Sequence, residues 1–286
     1  MEAIPQAAGT TEADNTTIWR LILDGPGSAS RNMAVDEALA GSVRTGASGP
    51  VLRFYGWNTP SLSLGYFQSL NTDVDVSACR ARGIPVIRRL TGGRAILHDD
   101  ELTYTVVAST RQKPFDRGIY ETYRVISSAL VRGLKLLGVS AQFSRRRPGK
   151  AGRRTRNPVC FHSLGFGEVH VSGRKLVGSA QRRWPEAFLQ HGSIPITYTD
   201  RDILELLRCA DGDLRHNRGG PGDNATGLSS LVPEFDRGAL IPALKAGFEN
   251  EFACTFVNDR LTEDESRHAR ELQRNKYGSR DWLARR

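Results

Sequence analysis

Between residues 88 and 99 the chain reads Arg88-Arg89-Leu90-Thr91-Gly92-Gly93-Arg94-Ala95-Ile96-Leu97-His98-Asp99, three arginines around a Gly-Gly pair. The chemistry such a stretch can do is to hold a carbonyl, carboxylate or phosphate. Gly92 and Gly93 can adopt positive φ and turn backbone N–H groups inward, while Arg88, Arg89 or Arg94 adds charge-assisted donors. The flanks are apolar. Gly83-Ile84-Pro85-Val86-Ile87 has the β-branched character of a buried strand, and Leu102, Tyr104 and Val106 alternate with Thr103, Thr105 and Val107 as in a half-buried one. The glycines therefore belong to a strand-to-strand connection. An ordinary glycine turn with solvated arginines has the same local pattern, so this stretch alone leaves both readings open.

A second chemical candidate is Cys160, in Arg156-Asn157-Pro158-Val159-Cys160-Phe161. Asn-Pro marks a turn, which puts the thiol on a loop that a substrate can reach. His162 lies two residues on and invites a Cys–His dyad, although near neighbours in extended chain often point apart. Upstream, residues 145 to 156 carry seven basic residues without one acid, from Arg145-Arg146-Arg147 through Lys150 to Arg153-Arg154 and Arg156. That run either steers an acidic partner toward Cys160 or is a solvated loop.

The glycine-arginine stretch resembles the signature of the biotin/lipoate A/B protein ligase family, whose members attach lipoate, octanoate or biotin to a lysine of a carrier domain. Three further segments resemble that family in its order: Asn32-Met33-Ala34-Val35-Asp36-Glu37-Ala38, Ser172-Gly173-Arg174-Lys175-Leu176-Val177-Gly178-Ser179-Ala180-Gln181, and Leu189-Gln190-His191-Gly192-Ser193-Ile194. Asn-Pro followed closely by Cys-Phe is similar to the family's LipM-type octanoyltransferase branch. The resemblance implies an α+β fold, a class II synthetase/biotin-ligase-like mixed β-sheet packed with helices. It also implies a two-step acyl transfer. Cys160 would attack the thioester of octanoyl-acyl carrier protein, and the acyl-enzyme would pass the octanoyl group to a lysine of a lipoyl-domain protein such as the glycine-cleavage H protein. A free cysteine titrates near 8.5, so the thiolate needs a cation beside it. Lys175, at the family's lysine position, is the implied one. Arg88, Arg89, Thr91, Gly92, Gly93, Arg94, His98, Gly178, Ser179, Ala180, Gln181, His191 and Gly192 form the implied substrate site, with amides near Gly92-Gly93 or Gly178-Ser179 holding the oxyanion. No metal and no cofactor are implied.

Positioning those residues requires a sheet and helices, and the pattern supplies them. Residues 1 to 15 read as a polar, disordered tail and residues 16 to 286 as a single catalytic domain with C-terminal helices. Strands are expected at Ile18–Leu23, Val51–Tyr55, Ser61–Tyr66 and Phe188–Ile196, and a hairpin at Gly167–Val177 turning at Ser172-Gly173. Helices are expected from Arg31 to Val43 under a Ser30 cap, over 119–137 up to Gly138, near 237–252 and near 262–275. Strand-rich middle and peripheral helices together suggest a mixed or antiparallel sheet.

Composition sets limits on partners. The chain has 286 residues, 39% of them hydrophobic, enough for one substantial core, and a formal charge of +9 that favours acidic partners. Cys79, Cys160, Cys209 and Cys254 are scattered without metal-ligand spacing, and no leader or long apolar run is evident, which reads as a cytoplasmic enzyme acting away from membranes. Rival readings are an octanoyl amidotransferase between lipoyl-domain proteins, an ATP-dependent lipoate-protein ligase, and a nucleic-acid-binding module. The Gly-Gly-Arg sequence departs from the ligases' Gly-Gly-Gly. Nothing in the chain matches a nucleic-acid motif.

Overall fold

The computed structural model describes residues 17–144, 166–199, 203–208 and 224–285. Cys160, His162 and the arginine-rich run at 145–156 lie outside the described residues.

In chain order the elements are β1 (Thr17–Gly27), α1 (Ala29–Arg44), β2 (Val51–Trp57), β3 (Ser61–Leu64), α2 (Leu70–Asp73), α3 (Val76–Ala81), β4 (Val86–Arg88), β5 (Ile96–His98) and β6 (Glu101–Ser109). There follow α4 (Ile119–Leu136), β7 (Gln142–Phe143), β8 (Val169–Val171), β9 (Arg174–Arg183), β10 (Ala187–Pro195), α5 (Arg237–Phe252), β11 (Cys254–Asp259), α6 (Glu263–Leu272) and α7 (Arg280–Ala284). Among the described residues they form an eight-stranded sheet in the order β11-β1-β2-β6-β10-β9-β8-β7 and a three-stranded sheet in the order β4-β3-β5. The large sheet is mixed: β1 runs parallel to both β11 and β2, and the pairs from β2 through β6 and β10 to β9 are antiparallel. The α+β architecture expected from the sequence is therefore the one observed.

Helices cover both faces of the large sheet. On one side Leu130 and Leu134 of α4 and Leu244 and Phe248 of α5 meet Phe54, Tyr104, Val106 and Phe188. Burying each such side chain contributes roughly 1.5–3 kcal/mol. Glycines let these two helices cross closely. A Cβ on Gly247 would stand 2.4 Å from the Ala129 carbonyl, and one on Gly133 would stand 2.7 Å from the Leu244 backbone. On the other side Val35, Ala38 and Leu39 of α1, backed by Ala269 of α6, cover Val51, Val107 and Leu189.

Local signals explain most boundaries. Ser28, not Ser30, caps α1, its hydroxyl accepting from the Arg31 amide at 3.3 Å, so the helix starts two residues earlier than expected. Gly138 at φ +77 follows the end of α4. Thr262 and Glu265 form a capping box at α6, which ends at Leu272 and continues as a π turn over Gln273–Tyr277, so the helical stretch expected near 262–275 is present with a change of winding in its last turn. Ser172 at φ +49 and Gly173 at φ +81 make the expected hairpin turn between β8 and β9. Two readings fail. β6 is not half-buried: Thr103 through Ala108 are all buried, because the strand lies mid-sheet with helices on both faces. β11, a short strand separated from α5 by Ala253 alone, was not expected at all.

Candidate functional site

The glycine-arginine stretch forms the connection from β4 to β5, and its arginines build that connection. The buried Arg88 guanidinium donates to the carbonyls of Gly65 at 3.0 Å, Tyr66 at 3.1 Å, Gln68 at 2.6 Å and Leu283 at 2.8 Å. This corrects the expectation that Arg88 grips a ligand. Its donors satisfy buried carbonyls that would otherwise each lose about 1–3 kcal/mol. Arg89 donates to Ser63 O at 3.1 Å, to Gly92 O at 2.9 Å and to Arg94 O at 2.7 Å. Gly93 takes φ +94 and lies directly on β3's end, where a Cβ on Gly65 would stand 2.0 Å from its carbonyl. No side chain fits there.

Below this loop, two histidines are pinned by carboxylates. His191, on β10, faces Asp36 Oδ2 through Nδ1 at 3.0 Å and Thr91 Oγ1 through Nε2 at 2.7 Å. Burial lowers the His191 pKa against the opposing pull of Asp36, which leaves the ring neutral, with Nδ1–H donating to Asp36 and Thr91 donating to Nε2. Asp36 also accepts from Arg53 at 2.7 Å, Tyr55 at 3.0 Å and Thr105 at 2.9 Å. Burial pushes this carboxyl up, but the bonds from His191 and Arg53 outweigh it and hold the group below its ordinary range.

His98, at the end of β5, stacks on Trp57 with centroids 4.0 Å apart. Its Nε2 lies 2.7 Å from Ser63 Oγ and its Nδ1 lies 2.9 Å from Glu101 Oε1. Ser63 Oγ also accepts from the Arg89 guanidinium at 3.0 Å, which ties His98 to Arg89 through one hydroxyl. Glu101 gathers Trp57 Nε1 at 3.0 Å together with Thr103 and Ser193. Burial raises the Glu101 pKa, and His98 with the two hydroxyls brings it below the usual value.

The two histidines, Arg89, Thr103 and Ser193 line a narrow cleft whose remaining walls are Met33, Tyr55, Ile96, Gly178, Ala180 and Gly192. Apolar walls with a few fixed polar groups match an apolar chain carrying a polar head in chemistry, while the free space between them, about 20 Å³, is that of one water, so the walls must part to admit such a chain. Of the residues expected in the site, Arg89, His98, Gly178, Ala180, His191 and Gly192 line it, and Thr91 braces one wall. Gly93 is close by, a Cβ on it standing 3.9 Å from the Ala180 Cβ. Ser179 and Gln181 do not line it. On a strand alternate residues face opposite ways. Ser179 bonds Tyr104 Oη at 2.8 Å and Gln181 bonds Gln190 at 2.9 Å, on the α4 and α5 face of the sheet.

Lys175, near the start of β9, is fully buried and ion-paired with Glu168. Its backbone is also bridged to the 224–226 segment, its N–H donating to Asn224 O at 2.8 Å and its carbonyl accepting from the Thr226 amide at 2.9 Å. The lysine thus has a carboxylate beside it, a partner the sequence reading did not foresee. Asp36, Arg53 and Glu101 were missed too. A charged residue on an apolar helix stripe or inside an apolar strand was the available signal: Asp36 follows Met33-Ala34-Val35, and Arg53 stands in Val51-Leu52-Arg53-Phe54-Tyr55.

The fold is similar to that of solved lipoate-protein ligases. A bipartite lipoate protein ligase from Thermoplasma acidophilum superposes with a TM-score of 0.75 at 29% identity, covering 94% of this chain and 97% of that one. Lipoate-protein ligase A solved with ATP gives 0.75 at 28% identity over 94% and 99%. The chain belongs to the lipoyl protein ligase A/B catalytic domain family, whose model matches residues 28–253. Among curated relatives, octanoyltransferase LipM of Moorella thermoacetica is 39% identical over 94% of this chain and 98% of its own length, and that of Kyrpidia tusciae is 40% identical over 92% and 97%.

Proposed function

We propose that this chain is an octanoyltransferase of lipoate biosynthesis, an acyltransferase that carries the acyl group on Cys160. The observation that carries the reading is the narrow apolar cleft with fixed, neutral-ring and carboxylate-pinned polar walls, in a chain similar along almost its whole length to LipM octanoyltransferases. In the first step the Cys160 thiolate attacks the carbonyl carbon of octanoyl-acyl carrier protein. The carrier's thiolate leaves and takes a proton, and the octanoyl chain lies along Ile96, Gly178 and Ala180. In the second step the neutral ε-amine of a lysine on a lipoyl-domain protein, the glycine-cleavage H protein, attacks the Cys160 thioester. An amide forms, the amine proton is released, and the Cys160 thiol is regenerated.

Lys175 supplies the positive charge that favours thiolate over thiol, and Glu168 fixes where that charge sits. Amides of Gly92-Gly93 or Gly178-Ser179 hold the oxyanion of each step, a contribution of about 3 kcal/mol per donor. The reaction proceeds in the cytoplasm, needs no ATP and uses no metal or cofactor.

The test is the mass of the intact protein after mixing with octanoyl-acyl carrier protein, with a Cys160→Ala control and an H-protein chase. The expected result is one octanoyl adduct, absent from the control and moved by the chase. The similarity to an ATP-bound ligase sets the second reading. Acylation of H protein that occurs only with ATP and free octanoate or lipoate would establish that reading instead. Loading from octanoyl-H protein but not from the acyl carrier protein would mark an amidotransferase.

A further inference from the structure

Ala180 lines the cleft, the next residue of β9 on the same face is Arg182, and Trp184 follows just past the strand's end. Arg182 stands over two rings at once, 5.5 Å from the centroid of Tyr66 and 5.8 Å from that of Trp184. Tyr66 is tied to the glycine loop, its amide donating to Thr91 O at 2.8 Å. Arg285 covers the same Tyr66 ring at 5.1 Å. Beside Tyr66, and edge-on to it at 4.9 Å, Phe67 is 75% exposed, the largest exposure among the large apolar side chains described. Among the described residues neither Arg182 nor Arg285 has a carboxylate partner.

An exposed phenylalanine flanked by ring-stacked, carboxylate-free arginines is the composition of an interaction hot spot. We infer that Phe67, Arg182 and Arg285 form the seat of the acceptor, an acidic protein domain that presents its lysine to the cleft. The inference rests on the proposed transfer to a carrier lysine. The charge selects an acidic surface, and the position selects the acceptor over the donor. A lysine reaches only the length of its four-carbon stem, so its domain must sit at the cleft mouth. Arg182 is a single same-face step, about 7 Å, beyond Ala180. A donor whose acyl group rides on a longer prosthetic arm has no such constraint. Rings also hold the arginines in place before docking, which reduces the side-chain entropy lost on binding.

The experiment is the Kd of unmodified H protein for the full chain, measured by calorimetry at several salt concentrations, with Phe67→Ser, Arg182→Ser and the double variant. None of these side chains lines the cleft. The double variant is expected to bind at least tenfold more weakly with a flatter salt dependence, while loading of the enzyme by octanoyl-acyl carrier protein, followed by intact mass, stays within twofold of wild type. Binding changed by less than twofold in the double variant, or no binding of H protein to the wild-type chain, would overturn the docking seat. Failure of the wild-type chain to load an octanoyl group would overturn the transferase reading and leave the binding result to stand by itself.

Discussion

Asp36 has the greatest structural reach of any side chain in the site. Fully buried, it joins α1 to β2, β6 and β10 through Arg53, Tyr55, Thr105 and His191. Asp36→Ala leaves the Arg53 guanidinium and the His191 ring without that partner, and truncating one member of a buried pair typically destabilises by about 3–5 kcal/mol. The denaturant midpoint is expected to fall accordingly, with Asp36→Asn losing less because it keeps hydrogen-bonding capacity. The same network sets a pH dependence. The His191 pKa is lowered in the fold, so between that value and the unfolded value of about 6.5 the unfolded chain binds the extra proton and stability rises with pH. Denaturation followed from pH 7.5 down to pH 5 should therefore show weakening that begins near 6.5, with a slope of up to about 1.4 kcal/mol per pH unit. His191→Gln should flatten that limb. Asp36 and Glu101, held low, keep their full contribution above the ordinary carboxylate range and lose it only as pH falls through their lowered values. Stability unchanged between pH 7 and 5 would contradict the neutral, buried histidine.

At the scale of elements, two close approaches are set by missing side chains. Gly65 at the end of β3 admits the Gly93 carbonyl, and Gly133 of α4 admits α5. Gly65→Ala must push the glycine loop off β3, because the obstruction is backbone rather than a movable side chain. Activity is expected to fall at least tenfold, since a misplacement of about 1 Å near reacting groups can cost about a hundredfold in rate. Gly133→Ala and Gly247→Ala both separate the same helix pair, on the sheet face away from the cleft. Each is expected to lower stability by about 1–3 kcal/mol, and the double variant by less than the sum, because one shift relieves both clashes. Additive losses measured by urea denaturation would argue against a shared crossing.

Across the whole molecule, the last helix reaches back to Arg88, which leads into the glycine-arginine loop. Leu283 O accepts from the Arg88 guanidinium at 2.8 Å, and Trp282 Nε1 donates to Arg88 O at 2.8 Å. Truncation before Ser279 should therefore impair acyl transfer as well as stability, though it removes no residue lining the cleft. Trp282→Phe keeps an aromatic ring in place but loses the hydrogen bond and part of the packed volume, so its effect is expected to be smaller than that of truncation, with about 1–3 kcal/mol coming from the buried carbonyl left unpaired. Thermal denaturation and loading assays on the two variants separate these contributions. No helix among the described residues is long and apolar enough to cross a membrane.

What could be learned from the chain alone followed from local rules. The 3.6-residue stripe of α4, the alternation and turn chemistry of the β8–β9 hairpin, and the glycine pair between two strands are written in neighbouring residues, and with the family motifs they brought His98, His191, Gly178 and Ala180 to one site before any fold was known. Arg88 was legible as chemistry but not as architecture. Whether a guanidinium holds a ligand or four carbonyls depends on which carbonyls the tertiary structure brings near, and one of them is 195 residues away. Ser179 and Gln181 were assigned by their motif, whereas the pleat turns them to the opposite face from Ala180. The pairing of Lys175 with Glu168, the convergence on Asp36 and the arginine-ring seat around Tyr66 likewise depend on strand register and helix docking. Those are sums over many weak contacts between distant residues, and only the folded chain carries them out.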